Sequence, residues 1–313
     1  MYKFVKIEPD LYNHIRTLYS RCFNVDISIL KIEKKYNTSS FGCRDIGFLA
    51  FDENNNPAAY YGVFPLIVKY KETDILIAQS GDTMTDPKHQ KKGLFVQLAS
   101  KTYEYAKQMG IQFIFGFPNE NSYPGFKNKL NWIFTGEMQT FALINFTIPI
   151  CEIAFRITFF ESIYNQLVKI TLRNLNIPLF PENILDFKSK EGYNIVIKDD
   201  DFFNYKLNNK NNHLIEFKGF KFLIKTNGHL IIGEVGYFDY SRLQSFLLAI
   251  KRLGLILFAR KTVLSLSSGH WLFSYLKDEL KPTEGLPIGF CKLNEVEFTF
   301  ENIVFSQADF DTF

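Results

Sequence analysis

The sequence predicts an α/β (α+β) protein made of two similar halves. Strand and helix patterns alternate up to Phe146, and a similar succession of strand, hairpin, helix and strand returns after Phe217. The 313 residues and the 46% hydrophobic content suffice for two globular cores. We therefore expect a first domain over residues 1–148, an amphipathic helix and linker over 149–188, and a second domain over 189–313.

Apolar spacing and turn residues place the elements of the first half. Two helices open it, over 8–23, where Pro9 and Asp10 suit a first turn, and over 27–36. Polar, turn-rich segments separate the elements that follow. In chain order these are strands 46–51, 58–70 and 75–85, helix 94–110, strand 111–117, and closing strands 133–136 and 137–146.

The loop between strand 75–85 and helix 94–110 has the composition of a phosphate-binding site. The extended segment stops at Asp86, the chain turns, and Gly93 stands in the first turn of the helix. A helix start offers unpaired backbone N–H groups and the positive end of the helix dipole. The loop adds the charges of Lys88, Lys91 and Lys92. Residues 90–95, which we call the cradle, are therefore predicted to bind a polyphosphate.

The cradle resembles the acyl-CoA-binding motif of the GNAT acyltransferase superfamily. In that motif Arg or Gln is followed, after two residues, by Gly and then, after one more, by Gly or Ala; Gln90 and Gly93 match, and Phe95 takes the last position. The segment from Asn119 to Trp132 is similar to the family's Asn-bearing second helix. The resemblance implies two tandem GNAT-like domains, each a mixed, mostly antiparallel sheet flanked by helices.

The second half repeats the order of the first without its cradle. The pair Asn227-Gly228 predicts a hairpin turn between two strands. The elements after it are helix 241–253, strand 255–259, helix 270–280 and strands 288–293 and 303–307. Residues 239–242 give an ordinary capped helix start, without glycine and with little positive charge. We interpret the second half as a degenerate copy that serves structure and acceptor recognition.

The resemblance also implies which residues hold acetyl-CoA. The backbone N–H groups of the cradle bind the pyrophosphate, and the main chain of the preceding strand, which corresponds to the family's splayed fourth strand, pairs with the pantetheine arm. Met84 is implied as the N–H donor to the thioester carbonyl, and Asn121, or else Asn119, as a contact to pantetheine or an ordered water; the alternative is that either asparagine only caps the helix. The implied binding residues are Thr83, Met84, Thr85, Gln90, Lys91, Lys92, Gly93, Leu94, Phe95, Asn119 and Asn121.

Asp82 and Tyr123 are the acid–base candidates near the cradle. Asp82 lies on the strand just before the cradle loop, where a carboxylate could accept a proton directly or through water; the alternative is a bond to backbone at the strand end. Many family members place a tyrosine on the second helix to protonate the CoA thiolate, but Lys127 holds that position. Tyr123, about one turn earlier, is the substitute, unless it is a structural tyrosine.

The acidic end of the chain supplies further candidates. The chain closes with Asp309, Asp311 and Phe313. In the tandem aminoglycoside acetyltransferases of the enhanced-intracellular-survival type, which have a similar architecture, the terminal carboxylate reaches the active site. The resemblance thus implies that one of these groups binds an amino acceptor or acts as a base; the alternative is a solvated tail.

Composition excludes several classes of protein. A net charge of +3 is too small to indicate nucleic-acid binding. The four cysteines are far apart and share no metal-ligand spacing, which favours reduced thiols in a cytoplasmic protein and no metal site. The first residues have no continuous apolar run, so no signal peptide is predicted.

A second amphipathic pattern lies between the halves. Apolar residues recur at helical spacing over 152–175, with charged residues between them. We interpret this as a connecting helix packed between domains; the alternative is a helix in peripheral contact with a membrane surface. The longest apolar region, 141–160, is interrupted by Asn145, Pro149, Glu152 and Arg156, so no transmembrane span is predicted.

The resemblance implies an acyl-CoA-dependent N-acyltransferase, most simply an N-acetyltransferase. An amine acceptor would attack the thioester of acetyl-CoA directly. The acceptor that it favours is a small primary amine on an amino sugar or a nucleotide-linked amino sugar. Two alternatives stay open: a Fem-type transferase that uses aminoacyl-tRNA, and a non-catalytic CoA-binding scaffold protein, which the missing tyrosine and the degenerate second half favour.

Overall fold

The protein structure is a computed structural model that describes residues 1–71, 73–175, 193–294 and 298–313. The predicted loop with Pro178 and Pro181 lies outside these residues. The strands are β1 (Lys3–Lys6), β2 (Ile46–Phe51), β3 (Pro57–Tyr70), β4 (Thr73–Thr85), β5 (Phe113–Gly116), β6 (Ile133–Ile144), β7 (Asn194–Val196), β8 (Asn212–Phe217), β9 (Phe220–Thr226), β10 (Leu230–Val235), β11 (Lys261–Ser267), β12 (Thr283–Lys292) and β13 (Ile303–Val304). The helices are α1 (Tyr12–Phe23), α2 (Ile29–Tyr36), α3 (Leu94–Gln108), α4 (Tyr123–Lys129), α5 (Ile150–Arg156), α6 (Thr158–Asn174), α7 (Asp200–Leu207), α8 (Leu243–Ile256) and α9 (Trp271–Leu276).

The chain forms two compact units, and each unit contains two segments of chain. Unit 1 comprises Met1–Gly136 and Leu286–Glu301, and unit 2 comprises Glu137–Gly285 and Asn302–Phe313. The domains predicted from sequence, 1–148 and 189–313, are each continuous, whereas both compact units are built from two separate stretches.

Unit 1 has a mixed sheet in the order β1-β2-β3-β4-β5-β12. Every pair is antiparallel except β4 and β5, which run parallel. The residues of β2 alternate between two hydrophobic cores, because successive side chains of a strand point to opposite faces. Ala50 belongs to the core that contains Leu98 of α3, and Leu49 belongs to the core that contains Leu18 of α1 and Ile32 of α2.

Unit 2 repeats this plan. Its strands follow the order β6-β11-β10-β9-β8, and β10 with β11 is again a parallel pair among antiparallel neighbours. Helix α8 buries Phe246, Ile250 and Leu253 in the core of this unit, and α6 contributes Val168 and Leu172. A short parallel pair, β7 with β13, completes the unit.

The two halves of the chain exchange a strand. In unit 1 the strand beside β5 is β12, which comes from the second half; it pairs Gly289 with Gly116. In unit 2 the strand beside β11 is β6, which comes from the first half; it pairs Met138 with Ser267. This exchange is why neither unit is continuous in sequence.

The predicted fold class, a mixed and mostly antiparallel sheet flanked by helices, is confirmed. The predicted closing strands 133–136 and 137–146 form the single strand β6. The predicted strand 255–259 is wrong, because α8 continues to Ile256 and the next strand starts at Lys261. A short apolar run such as residues 253–258 fits a buried helix as well as a strand. Four elements escaped prediction: β1, β7, α7 and β8.

The predicted helix over 152–175 is divided into α5 and α6 at Ile157, whose backbone is extended. Both helices belong to unit 2. Within the described parts of the chain, no helix is long and apolar enough to cross a membrane.

Candidate active site

The parallel strands β4 and β5 part after two residue pairs. Ala78 pairs with Ile114 and Gln79 with Phe115; β5 ends at Gly116 while β4 continues to Thr85. Among the described residues, no strand covers this edge of β4 beyond the divergence. The free edge can pair with an extended ligand through main-chain hydrogen bonds. This is the splayed strand that the resemblance implied.

A β-bulge interrupts β4 at the divergence. Tyr60 pairs with Met84 and Gly62 with Gly81, so Asp82 and the residue after it face a single residue of β3. Asp82 has a φ of 40°, in the left-handed region that a residue with a short polar side chain tolerates best. The bulge re-aims the side chain of Asp82 toward α1 and α2.

The Asp82 carboxylate accepts hydrogen bonds from both helices. Its donors are the Tyr19 hydroxyl of α1 at 2.5 Å, and the Lys35 ammonium at 2.7 Å and Tyr36 hydroxyl at 2.9 Å of α2. The Asp82 side chain is only 7% exposed. Charge-assisted bonds of this kind are stronger than neutral ones. Asp82 therefore fastens both helices to β4, and it also stands at the mouth of the splay.

Buried phenols surround this carboxylate. Burial, with the negative charge of Asp82, raises the pKa of both Tyr36 and Tyr60 well above the ordinary value. Both hydroxyls therefore stay protonated, and that of Tyr36 donates to Asp82. The Tyr60 hydroxyl lies 2.6 Å from where a Cβ at Gly47 would be and 2.2 Å from one at Gly62, so only glycine leaves room for it at these positions.

The cradle has the backbone of an anion site. Lys91 and Gly93 take left-handed φ values of 61° and 73°, and α3 begins directly after Gly93. Within the described residues, none of the backbone N–H groups from 90 to 96 donates to another backbone group; the first bond of the helix runs from Gln97 N–H to the Gly93 carbonyl. The side chains of Lys91 and Lys92 are exposed. Converging free N–H groups with nearby cations suit a pyrophosphate.

A pocket of about 400 Å³ adjoins the cradle on the side of the β2–β3 hairpin. His89 lines it: its Nδ1 lies 2.8 Å from the Tyr2 hydroxyl, and its Nε2 lies 3.8 Å from Asp52. Arg21 donates to Asp86 at 3.2 Å in the same pocket. Asp52 lies 37 residues before His89, on the hairpin loop, so no local sequence pattern marks the two as partners.

The segment before α4 carries the predicted Asn119, Asn121 and Tyr123. Asn119 accepts the backbone N–H groups of Asn121 and Ser122, both at 3.1 Å, and so caps the turn that leads into the helix. Asn121 is exposed and Tyr123 half-buried, with the Lys127 ammonium 5.4 Å from the centre of its ring. Their predicted roles, a contact to pantetheine for the asparagines and protonation of the thiolate for Tyr123, stay predictions.

Helix α4 lies against the first turn of α3. A Cβ added to Gly125 would meet the Phe95 ring at 2.8 Å. Phe95 also packs edge-to-face on Phe126 at 5.1 Å between centroids. The aromatic residue at the last position of the motif therefore fills the space between the two helices.

The predicted C-terminal candidates lie within unit 2. Asp309 is fully buried; it accepts the Ser306 backbone N–H at 2.7 Å and forms an ion pair with Lys198. Asp311 is half-buried, and the Phe313 side chain is 5% exposed. The solvated-tail alternative is wrong for Asp309, while its predicted part in the reaction stays a prediction.

The C-terminal segment fills the splay of unit 2. Strands β10 and β11 pair up to Ile232 with Leu264, after which Ser306 bridges Leu266 and the Phe305 carbonyl accepts the Ser267 N–H at 3.0 Å. A Cβ at Gly233 would lie 2.1 Å from the Phe313 ring. The chain's own end thus occupies the cleft that corresponds to the open one in unit 1.

Three buried lysines hold this segment. Lys198 binds Asp309, Lys206 donates to the Phe310 carbonyl at 2.7 Å, and Lys225 donates to the carbonyl of Thr312. Burial lowers the pKa of Lys206 to about 7. No local sequence signal marked these lysines, because their acceptors lie 87 to 111 residues away.

Comparison with known proteins agrees with this geometry. Residues 5–134 match the family model for the acetyltransferase (GNAT) domain, which supports acetyl-CoA as the cosubstrate. No curated protein matches the sequence.

Solved structures share the fold at low identity. A GCN5-related N-acetyltransferase from Kribbella flavida has a TM-score of 0.60 and 10% identity, covering 93% of this chain and 70% of that one. One from Anabaena variabilis has a TM-score of 0.56 and 13% identity, covering 94% and 73%. A putative acetyltransferase from Pyrococcus horikoshii has a TM-score of 0.54 and 11% identity, covering 96% and 92%. Residues 5–134 thus match the acetyltransferase (GNAT) domain, and the chain as a whole shares its fold with these solved structures.

Proposed function

We propose that the protein is an N-acetyltransferase that moves the acetyl group of acetyl-CoA to a primary amine. One observation carries the proposal: unit 1 combines a splayed β4 edge with a cradle of free backbone N–H groups, inside the segment that matches the acetyltransferase domain. The arrangement provides one site for a diphosphate and another for an extended arm, next to a buried carboxylate.

Different residues bind the different parts of acetyl-CoA. The N–H groups of residues 90–95 and the ammonium groups of Lys91 and Lys92 hold the pyrophosphate. The edge of β4 from Thr83 to Thr85 pairs with the pantetheine arm. The backbone N–H of Met84 donates to the thioester oxygen and stabilises the charge that develops there. Acetyl-CoA itself supplies the activated acetyl group.

Asp82 and Tyr123 carry the proton transfers in this proposal. Asp82 takes a proton from the ammonium group of the acceptor, directly or through a water, and this frees the amine lone pair for attack; Lys35, Tyr19 and Tyr36 hold the Asp82 carboxylate in place. The amine attacks without a covalent enzyme intermediate. Tyr123 protonates the departing thiolate. Because a thiolate is a good leaving group, a weak acid is sufficient for this step.

The acceptor that we propose is an amino sugar or a nucleotide-linked amino sugar. A carboxylate flanked by phenol hydroxyls, as at Asp82, Tyr19 and Tyr36, offers partners both for an ammonium group and for sugar hydroxyls. Thiol release from acetyl-CoA, measured with amino sugars, aminoglycosides and polyamines, tests this choice. Turnover with polyamines alone would contradict it.

Gly93→Glu tests the cradle. The variant puts a carboxylate and a backbone penalty at the pyrophosphate site, so we expect calorimetry to show no CoA binding and the assay no thiol release. Gly110→Glu is the matched control, because Gly110 has a φ of 86°, open space around it, and a place at the far end of α3. Equal CoA affinity in the two variants would refute the assignment.

A CoA-binding protein without turnover is the second candidate. The observation in its favour is that Asp82 already accepts three hydrogen bonds, one of them from an ammonium group. It predicts tight CoA binding by the wild-type protein with no thiol release on any amine.

A further inference from the structure

Unit 2 carries an exposed apolar surface that the proposed reaction does not use. The most exposed of its side chains are Phe146, at 93%, and Phe159, at 73%. Exposed apolar groups continue along α5, α6 and the loop before them. They are Ile144, Phe146, Ile148, Ile153, Ile157, Phe159, Phe160, Ile163, Leu167 and Ile170. We call this set the apolar face.

Helix α6 has three distinct sides. One is buried in the core of unit 2 through Tyr164, Val168 and Leu172. The exposed residues Phe159, Ile163 and Ile170 share a second side, because positions three, four and seven residues apart align on a helix. The third side is polar and carries Lys169 and Arg173. A helix with an exposed apolar stripe beside a basic stripe is the pattern of helices that lie in a membrane interface.

The loop before α5 extends the same pattern. Phe146 follows Asn145, whose N–H donates to the Arg260 carbonyl at 2.7 Å, so the exposed Arg260 stands beside the exposed phenylalanine. Arg156, at the end of α5, is exposed as well. The apolar face is therefore accompanied by Arg156, Lys169, Arg173 and Arg260.

The acidic side chains of these helices are drawn inward. Glu152 is 16% exposed and accepts the Arg260 backbone N–H at 3.0 Å; Glu161 is 25% exposed and pairs with Lys210 at 3.0 Å. The charged residues of α5 and α6 that are exposed, rather than partly buried, are Arg156, Lys169 and Arg173, and all three are positive.

We propose that the apolar face docks the protein on the surface of a membrane that contains anionic lipids. The phenylalanines enter the boundary between headgroups and acyl chains, and the arginines and lysine meet the negative headgroups. The positive charge beside the apolar face favours an anionic lipid surface, and not a second copy of this chain, as the partner. A two-fold symmetric dimer through this face would bring the same basic residues together, whereas an anionic bilayer neutralises them.

Sedimentation of the full chain with lipid vesicles tests the proposal. We expect binding to phosphatidylcholine vesicles that contain phosphatidylglycerol, much weaker binding to phosphatidylcholine alone, and release by salt, because the attraction to headgroups is screened. Phe159→Ser should weaken the partition about tenfold, as expected for the loss of one buried aromatic group. Phe23→Ser, at an exposed phenylalanine of unit 1, is the matched control and should bind like the wild type.

Charge reversal supplies the second arm. Lys169→Glu with Arg173→Glu should weaken binding to the anionic vesicles more than about tenfold, given the contribution of each basic residue near such a surface. Lys31→Glu with Lys34→Glu, exposed on α2, is the control for total charge. Failure of the wild type to sediment, or equal losses in variants and controls, overturns the proposal. So does a dimer, detected by light scattering, that Phe159→Ser dissociates, because the occupant is then a second copy.

Discussion

Replacing Asp82 by Asn separates the chemical role of this carboxylate from its structural role. The amide keeps the shape of the side chain, and Tyr19 and Lys35 can still donate to its oxygen, while the Tyr36 hydroxyl can turn to accept from its nitrogen. The charge is lost. A hydrogen bond to a charged group contributes about 1.5–3 kcal/mol and a neutral one about 1 kcal/mol. Three weakened bonds at a side chain only 7% exposed therefore cost roughly 2–4 kcal/mol.

This cost is measurable apart from the chemistry. For a protein of 313 residues, roughly 2–4 kcal/mol lowers the melting temperature by about 3–6 °C. If Asp82 is the general base, the rate of thiol release at saturating substrates falls by about 10²–10⁴-fold in addition. The affinity for CoA should not change, because the cradle does not contact Asp82 in the proposed arrangement.

Asp45→Asn is the matched control for Asp82→Asn. Asp45 also has a positive φ, accepts the Tyr12 hydroxyl at 2.6 Å and pairs with Arg44 at 2.7 Å, so its substitution removes a similar charge from similar partners. We expect a comparable loss of stability and an unchanged rate in folded protein. A turnover number within about threefold of the wild type for Asp82→Asn would refute the general-base role.

Three further predictions concern unit 2. Gly233→Ala should displace the Phe313 ring and lower the melting temperature, whereas Gly136→Ala, with open space around it, should not; equal melting temperatures would contradict the packing. Burial alone would raise the pKa of Glu234, but His270, Lys198 and Ser306 outweigh it and lower that pKa to about 2. The corresponding stability is present above the ordinary value of 4.5 and is lost as the pH falls toward 2, roughly 3 kcal/mol in all; in Glu234→Gln this part of the pH dependence of unfolding should disappear. Burial also lowers the pKa of Lys206 to about 7 from 10.5, so the unfolded chain binds more protons between these values and stability rises with pH there; Lys206→Met should flatten that slope, and a slope equal to that of the wild type would count against the burial argument.

The cradle could be predicted from sequence because its signals are local. The turn at Asp86, the glycine with positive φ at 93 and the apolar repeat of α3 all lie within about one element's length, and each depends on backbone preference or helix periodicity. The bounds of β2 were predicted to the residue for the same reason. The splay of β4 followed from the resemblance and not from the strand pattern itself.

The partners of Asp82 could not be predicted, because they are set by packing. Lys35 and Tyr36 lie 47 and 46 residues before Asp82, on α2. The apolar spacing of that helix predicts which side is buried, but not which residue its polar side chains contact. The exchange of β6 and β12 was hidden for a related reason. A strand's alternation shows which face is buried, but its pairing partner depends on contacts more than a hundred residues away.

The two units show how one plan can keep or lose a ligand site. In both units two neighbouring parallel strands diverge. The antiparallel pairing beside them is irregular, at Asp82 between β3 and β4 in unit 1 and at Gly233 between β9 and β10 in unit 2. In unit 1 the strand leads to the cradle, whose N–H groups donate to no backbone acceptor among the described residues, so an anion would add bonds that the fold leaves unmade. In unit 2 the carbonyl groups and the carboxylate of the C-terminal segment already satisfy Lys198, Lys206 and Lys225. A ligand entering there would have to displace those bonds and the buried Phe313 ring. For this reason we assign acetyl-CoA to unit 1 alone and expect calorimetry to return one CoA per chain.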